Sequence, residues 1–224
     1  MTTRLKSFLS STVGTKVLIA VTGLGLFVFL ILHLIGNTLF FVGPDTFNEY
    51  SHALISNPAI YVIEAGLLLV FVLHVFKAVT NWAANRRARP ADYQLKKNAG
   101  HTSRKGLSST TMIVSGIVTF VFVVLHLRTF KFGAWYETAS GVRDLHRLMV
   151  EVFSHPIYVV SYVVCMVLIG MHLRHGVASA FQSLGVSHPR YTPGIVRLGT
   201  ALALLIGGGF AIIPVLVFLL GGRS

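Results

Sequence analysis

The stretch from Ser154 to Gly185, SHPIYVVSYVVCMVLIGMHLRHGVASAFQSLG, is apolar for most of its length and is interrupted near its far end by His172 and His175. An earlier stretch from Ser56 to Ala78, SNPAIYVIEAGLLLVFVLHVFKA, follows the same plan. Pro58 stands sixteen residues before His74, as Pro156 stands sixteen before His172. Both read as helices that enter a membrane after a Ser-x-Pro turn and carry a histidine to one depth. The shared Ile-Tyr-Val triplet is offset by one residue between them, so the pattern suggests an ancient duplication.

Over half of the 224 residues are hydrophobic and only 12% are charged, which places the chain among polytopic membrane proteins. Runs without Asp, Glu, Lys or Arg extend over Val17–Phe41, Gly106–Leu127, Val152–Leu173 and Leu198–Gly222, and another run from Pro58 to Phe76 is broken only by Glu64. Each covers the roughly 20 residues that a bilayer demands of a helix. The expected fold is all-α: five transmembrane helices over about residues 13–41, 58–84, 108–130, 156–182 and 195–220, bundled as a single domain over residues 1–224. Glycines and Pro214 inside these spans are tolerable where neighbouring helices pack closely.

A formal charge of +12 raises nucleic acid as a partner, but the placement of the charge excludes it. Fourteen of the 19 basic residues lie before or at the start of span one, from the end of span two to the start of span three, or around the connection after span four. The positive-inside rule then puts the N-terminus in the cytoplasm and the C-terminus outside. The first apolar run is too long for a signal-peptide core, and span one is expected to be a mature helix. The single cysteine, Cys165, lies within span four and excludes both disulfides and a Cys-x-x-Cys-His haem attachment.

Met1–Thr12 is a short basic lead amphipathic enough to lie on a membrane surface. Val42–Asn57 reads as an external loop with a Gly43-Pro44-Asp45 turn, and the region after span three as an external stretch with room for a short interfacial helix. The Asn81–Leu107 loop is cytoplasmic, and its NRRARP and QLKKN segments suit anionic lipid or a partner subunit as well as plain solvent.

Spans one to four each carry a deep histidine and span five carries none. Intramembrane ionisable groups are costly and usually serve a site. His33 and His126 lie 17 and 21 residues beyond Lys16 and Lys105, roughly 25 to 31 Å from the cytoplasmic boundary at the rise of a helix. His74 and His172 lie about 24 Å from the external boundary by the same rise. Across a bilayer about 40 Å thick, the first pair is therefore about 10 to 15 Å nearer the outside. Two pairs at two levels can each grip a planar iron from opposite faces, as axial ligands of b-type haem. His33 with His126 is assigned to an outer haem and His74 with His172 to an inner one. His175, one turn beyond His172, is the alternative ligand. Lys77 and His175 toward the cytoplasm, and Arg128 and Lys131 toward the exterior, are candidates to meet haem propionates, although snorkelling cations give the same pattern.

The segments SSTVGTKVLIAVTGL, HLIGNTLF, FNEYSHAL, NPAIYVIEAGLLLVFVLHV and, most distinctively, HLRHGVASAFQSLG make the chain resemble the dihaem cytochrome b subunits that anchor succinate dehydrogenase or fumarate reductase. That resemblance covers nearly the whole chain. It implies a prokaryotic cytoplasmic membrane, two haem b groups held by His33, His74, His126 and His172, and flavoprotein and iron–sulfur partners on the cytoplasmic face. It also implies electron exchange with a membrane quinone, commonly menaquinone. Some relatives use an acidic residue near the second helix for quinol protons, for which Glu49 and Glu64 are the candidates. Gly170 stands where some relatives carry a glutamate two residues before the fourth ligand, so proton conduction through that position is not expected here.

Two other readings remain. A cytochrome b subunit of another modular oxidoreductase, such as a formate dehydrogenase, also holds haem between helices. A transporter with intramembrane histidines predicts polar clusters near the midplane and broken helices.

Overall fold

A computed structural model describes residues 11–88 and 111–220. Within them run seven helices: α1 (Thr12–Thr38), α2 (Pro44–Ile55), α3 (Ala59–Arg87), α4 (Met112–His126), α5 (Leu145–Phe153), α6 (Pro156–Ser183) and α7 (Thr192–Leu220). Five of these, with the short turns that extend α1 and α4, are long and apolar enough to cross a membrane. The chain is a multi-pass membrane protein, and the five spans fall within a few residues of those read from hydropathy. The basic lead up to Ser10, most of the Asn81–Leu107 loop and the start of the third span at Ser108 lie outside the described residues.

Local signals set the helix ends. Ser11 caps α1, its hydroxyl accepting the Gly14 N–H at 3.0 Å. At the far end of α1 a 3-10 turn, Leu39–Phe41, leads to Gly43 at φ 152°, a conformation that favours glycine, and Pro44 then opens α2. This is a departure from the loop expected over Val42–Asn57. Its Gly-Pro start reads as a turn, but Pro at the first helical position with Asp45 behind it is also a helix start. Beyond α4 the chain widens into a π turn, Leu127–Lys131, directly after His126. A side chain at Gly133 would collide with the Thr129 carbonyl, so glycine closes that turn.

The long helices alternate in direction. Gly23 faces His74 while Gly25 faces Val70, which makes α1 and α3 antiparallel, and Gly170 opposite Gly207 with Val177 opposite Gly199 does the same for α6 and α7. The α6–α7 seam is the most extensive contact. It closes because a Cβ added to Gly207 would lie 3.0 Å from the Gly170 Cα, and Ala203 and Ile206 are buried beside it. Gly170 is therefore part of a helix crossing. In contrast, α3 buries none of its residues fully and turns Tyr61, Val62, Leu68, Leu69, Val72 and Phe76 outward, the apolar exposure expected of a lipid-facing helix.

The two short helices pack together over one end of the bundle, here called the cap end. Phe40, Phe47, Met149 and Phe153 form its core with Val159, Ile213 and Val217 of the long helices. Asn48, almost wholly buried, donates to Asp144 Oδ1 and accepts the His146 N–H, both at 2.9 Å. The His146 ring stacks on Phe40 with centroids 4.2 Å apart. Burial lowers the His146 pKa, opposed by Asp144.

Because the neighbours of Gly207 are backbone atoms that cannot swing aside, Gly207→Val is expected to cost about 1 to 3 kcal/mol. A thermal melt in detergent should fall for Gly207→Val and not for Gly208→Val, where a Cβ meets nothing within 4 Å.

Candidate functional site

The inner level is built from one hydroxyl, one glycine and one histidine, twice. Thr22 donates its only proton to the Leu18 carbonyl at 2.6 Å, with Ile19 as a longer partner at 3.2 Å. Its oxygen lies 3.1 Å from His74 Nδ1. With the hydroxyl proton committed, that contact assigns the proton to His74 Nδ1 and leaves the lone pair on Nε2. On the other side Ser115 donates to the Met112 carbonyl at 3.1 Å and lies 3.2 Å from His172 Nδ1, which assigns the same tautomer. Each imidazole also reaches a backbone carbonyl three residues before its hydroxyl, Ile19 for His74 and Met112 for His172. Both hydroxyls are buried. The glycines that follow them leave space for the rings: a Cβ at Gly23 would sit 3.0 Å from His74 Cε1, and one at Gly116 3.5 Å from His172 Cε1.

The outer level lies eleven residues along the same two helices, roughly 16 Å at the helical rise. His33 and His126 meet with ring centroids 5.9 Å apart and planes at 84°. Tyr162 lies with its hydroxyl 3.3 Å from His126 Nδ1. Asn37 donates to the His33 carbonyl at 2.8 Å and touches its ring at 3.5 Å. Phe29 stacks on His33 and Phe122 on His126, each from one turn before. Phe210 and Phe130 fill in around them.

These contacts expose a repeat absent from the sequence reading above. From Thr22 to His33 α1 reads TGLGLFVFLILH, and from Ser115 to His126 α4 reads SGIVTFVFVVLH, identical at six of twelve positions. Together with the Pro58 and Pro156 helices this extends the suggested duplication to α1–α3 and α4–α6, with α7 added. The signal was legible by aligning backward from His33 and His126 instead of forward from the prolines. Within that register Lys77 corresponds to His175 and Glu64 to Tyr162, so the two units share His74 and His172 but not the residue one turn beyond.

The other candidates are scattered. His175 and Lys77 are half-buried one turn past the inner histidines. Glu64 of α3 forms an ion pair with Lys131 of the π turn, both partly exposed. Arg128 is exposed, and Glu49 is exposed on α2. Sequence reasoning also passed over Arg143, which is buried under the cap. It donates from Nη2 to the Phe130 carbonyl at 2.8 Å and stacks on Trp135, while its Nε has no partner. Burial lowers its pKa.

The arrangement suits a metal that needs two protein ligands. Imidazoles opposed across one metal, at about 2 Å per bond, require ring centroids roughly 6 Å apart, close to the spacing of His33 and His126. Among the described residues no group of three or more His, Cys, Asp or Glu is placed to hold a metal ion. A planar macrocycle supplying four further ligands fits that donor set.

Over 180 residues, 80% of this chain and 81% of the relative, the sequence is 26% identical to the succinate dehydrogenase cytochrome b558 subunit of Bacillus subtilis (strain 168). The chain is a homologue of that cytochrome b subunit. No protein-family model matches the chain, and no solved structure matches it significantly.

If the hydroxyl contact marks the ligand, His172→Ala should remove one haem of two and His175→Ala neither. Haem per chain, from pyridine haemochrome spectra, checks this. Loss of a haem in His175→Ala with both kept in His172→Ala would reverse the assignment.

Proposed function

We propose that this chain is the membrane anchor and electron-transfer subunit of a succinate:quinone oxidoreductase or quinol:fumarate reductase, folded as one cytochrome b domain. The observation that supports the reading is the contact of His33 with His126 at one level, together with His74 and His172 at the other, each with its Nδ1 beside a buried hydroxyl. His33 with His126 would hold the outer haem b and His74 with His172 the inner one. Haem b, when bound, supplies an iron that gains and loses one electron. The chain's own part would be to hold the four histidine nitrogens still, to keep water away with the Phe29, Phe122 and Phe210 rings, and to set the two levels about 16 Å apart on continuous helices.

By the placement of its cations the chain has its cap end outside and its open end, with the N-terminus, in the cytoplasm. Flavoprotein and iron–sulfur subunits would dock at the open end, near Lys77, Arg86, Arg87, Arg174 and His175. Quinone, a menaquinone by resemblance, is the substrate in the membrane. Glu64 is better placed than Glu49 to exchange its proton, because its position matches that of Tyr162, which touches an outer ligand. Lys131 is its ion-pair partner, and Arg128 remains an exposed cation available to a propionate. The likeness to the Bacillus subtilis subunit supports this reading over the cytochrome of a formate dehydrogenase and over a transporter.

Deletion of the chain in its own host should move succinate dehydrogenase activity, assayed with a soluble dye, from the membrane pellet to the supernatant. A plasmid copy should return it. Activity that stays in the pellet without the chain would overturn the anchor reading.

A further inference from the structure

We propose that Thr22 and Ser115 are a matched pair of positioning residues that set the tautomer and donor strength of the two inner ligands, and so set the potential of the inner haem apart from that of the outer one. The proposal rests on the dihaem reading and deepens it.

Three features converge on these two hydroxyls. They occupy the same place in the two units, eleven residues before His33 and before His126. Both have spent their one proton on a helix carbonyl, Leu18 in one case and Met112 in the other. Each therefore presents only lone pairs to an Nδ1, at 3.1 and 3.2 Å. A hydroxyl left free to rotate would accept or donate, and a donor would push the ring proton onto Nε2, where it blocks the metal. Here the helix removes that freedom. The glycines beside them act in the same direction by letting the rings come within reach.

Accepting from Nδ1–H makes the opposite nitrogen a stronger donor, which favours ferric over ferrous iron. The outer ligands are held differently. Tyr162 can donate to or accept from His126, and Asn37 contacts the His33 ring only at 3.5 Å. The inner level thus has two acceptor hydroxyls and the outer level has none with its proton already committed. Removing an inner hydroxyl should raise one potential and leave the other in place.

The test is an optical redox titration of the purified haem-loaded chain, with Thr22→Val and Ser115→Ala beside the wild type and the conservative Thr22→Ser and Ser115→Thr. The step that disappears in His172→Ala marks the inner haem. In Thr22→Val and in Ser115→Ala that step should move upward, by up to about tenfold in the ferric-to-ferrous ratio or 59 mV for a one-electron couple. The outer step should stay, and the conservative variants should titrate as wild type. Should Thr22→Val or Ser115→Ala fail to load haem, the conservative pair decides: wild-type steps in Thr22→Ser and Ser115→Thr with haem loss confined to the inner level support the proposal. Two haems with both steps unmoved in Thr22→Val and Ser115→Ala would overturn it, leaving the Ile19 and Met112 carbonyls as the only acceptors. Equal movement of both steps would overturn it too. A wild-type chain without two haems would instead refute the dihaem reading itself.

Discussion

An imidazole inside a bilayer must give its N–H to an acceptor and offer its bare nitrogen to something that takes a lone pair, because hydrocarbon supplies neither. The architecture of this chain answers that requirement at the inner level. Thr22 and Ser115 take the N–H of His74 and His172, and the glycines next to them let the rings approach. What remains is a bare nitrogen on each of α3 and α6. The helices that carry the two hydroxyls, α1 and α4, present His33 and His126 three turns further on, already in ring contact. The surrounding elements hold this arrangement in place: α7 clamps α6 through the Gly170–Gly207 crossing, and α2 with α5 closes the cap end around Asn48.

The two-unit organisation explains how one constraint came to be met twice. A three-helix unit that contributes one ligand to each level cannot complete either site by itself. Two such units facing each other complete both. Divergence is visible where the site tolerates it: Lys77 against His175, and Glu64 against Tyr162 at the outer level. Glu64 has no equivalent carboxyl in the second unit, so any proton chemistry there belongs to one side of the molecule.

The spans were legible in the sequence because they follow from a long-period property, hydropathy over twenty residues. Pro58–His74 and Pro156–His172 announced half of the duplication, since prolines and histidines stand out in apolar helices. The other half, Thr22-Gly23 with Ser115-Gly116, did not, because small residues in a membrane helix read as packing until their contacts are known. Short elements were the least legible. Residues 44–55 carry enough polar groups to look like a loop, and only packing against α5 shows why the apolar Phe47 and the buried Asn48 share one helix face. The Glu64–Lys131 pair joins residues 67 apart and depends on the π turn after His126, which no local pattern predicts.

The central claim is that the four histidines form two two-ligand sites, and the haem content of the purified wild-type chain tests it most directly. Pyridine haemochrome analysis against protein concentration should give about two b-type haems per chain, both low-spin in the electron paramagnetic resonance spectrum, as axial imidazole pairs require. A folded chain that binds no haem under adequate haem supply, or one whose haem is high-spin with an open axial position, would contradict the account.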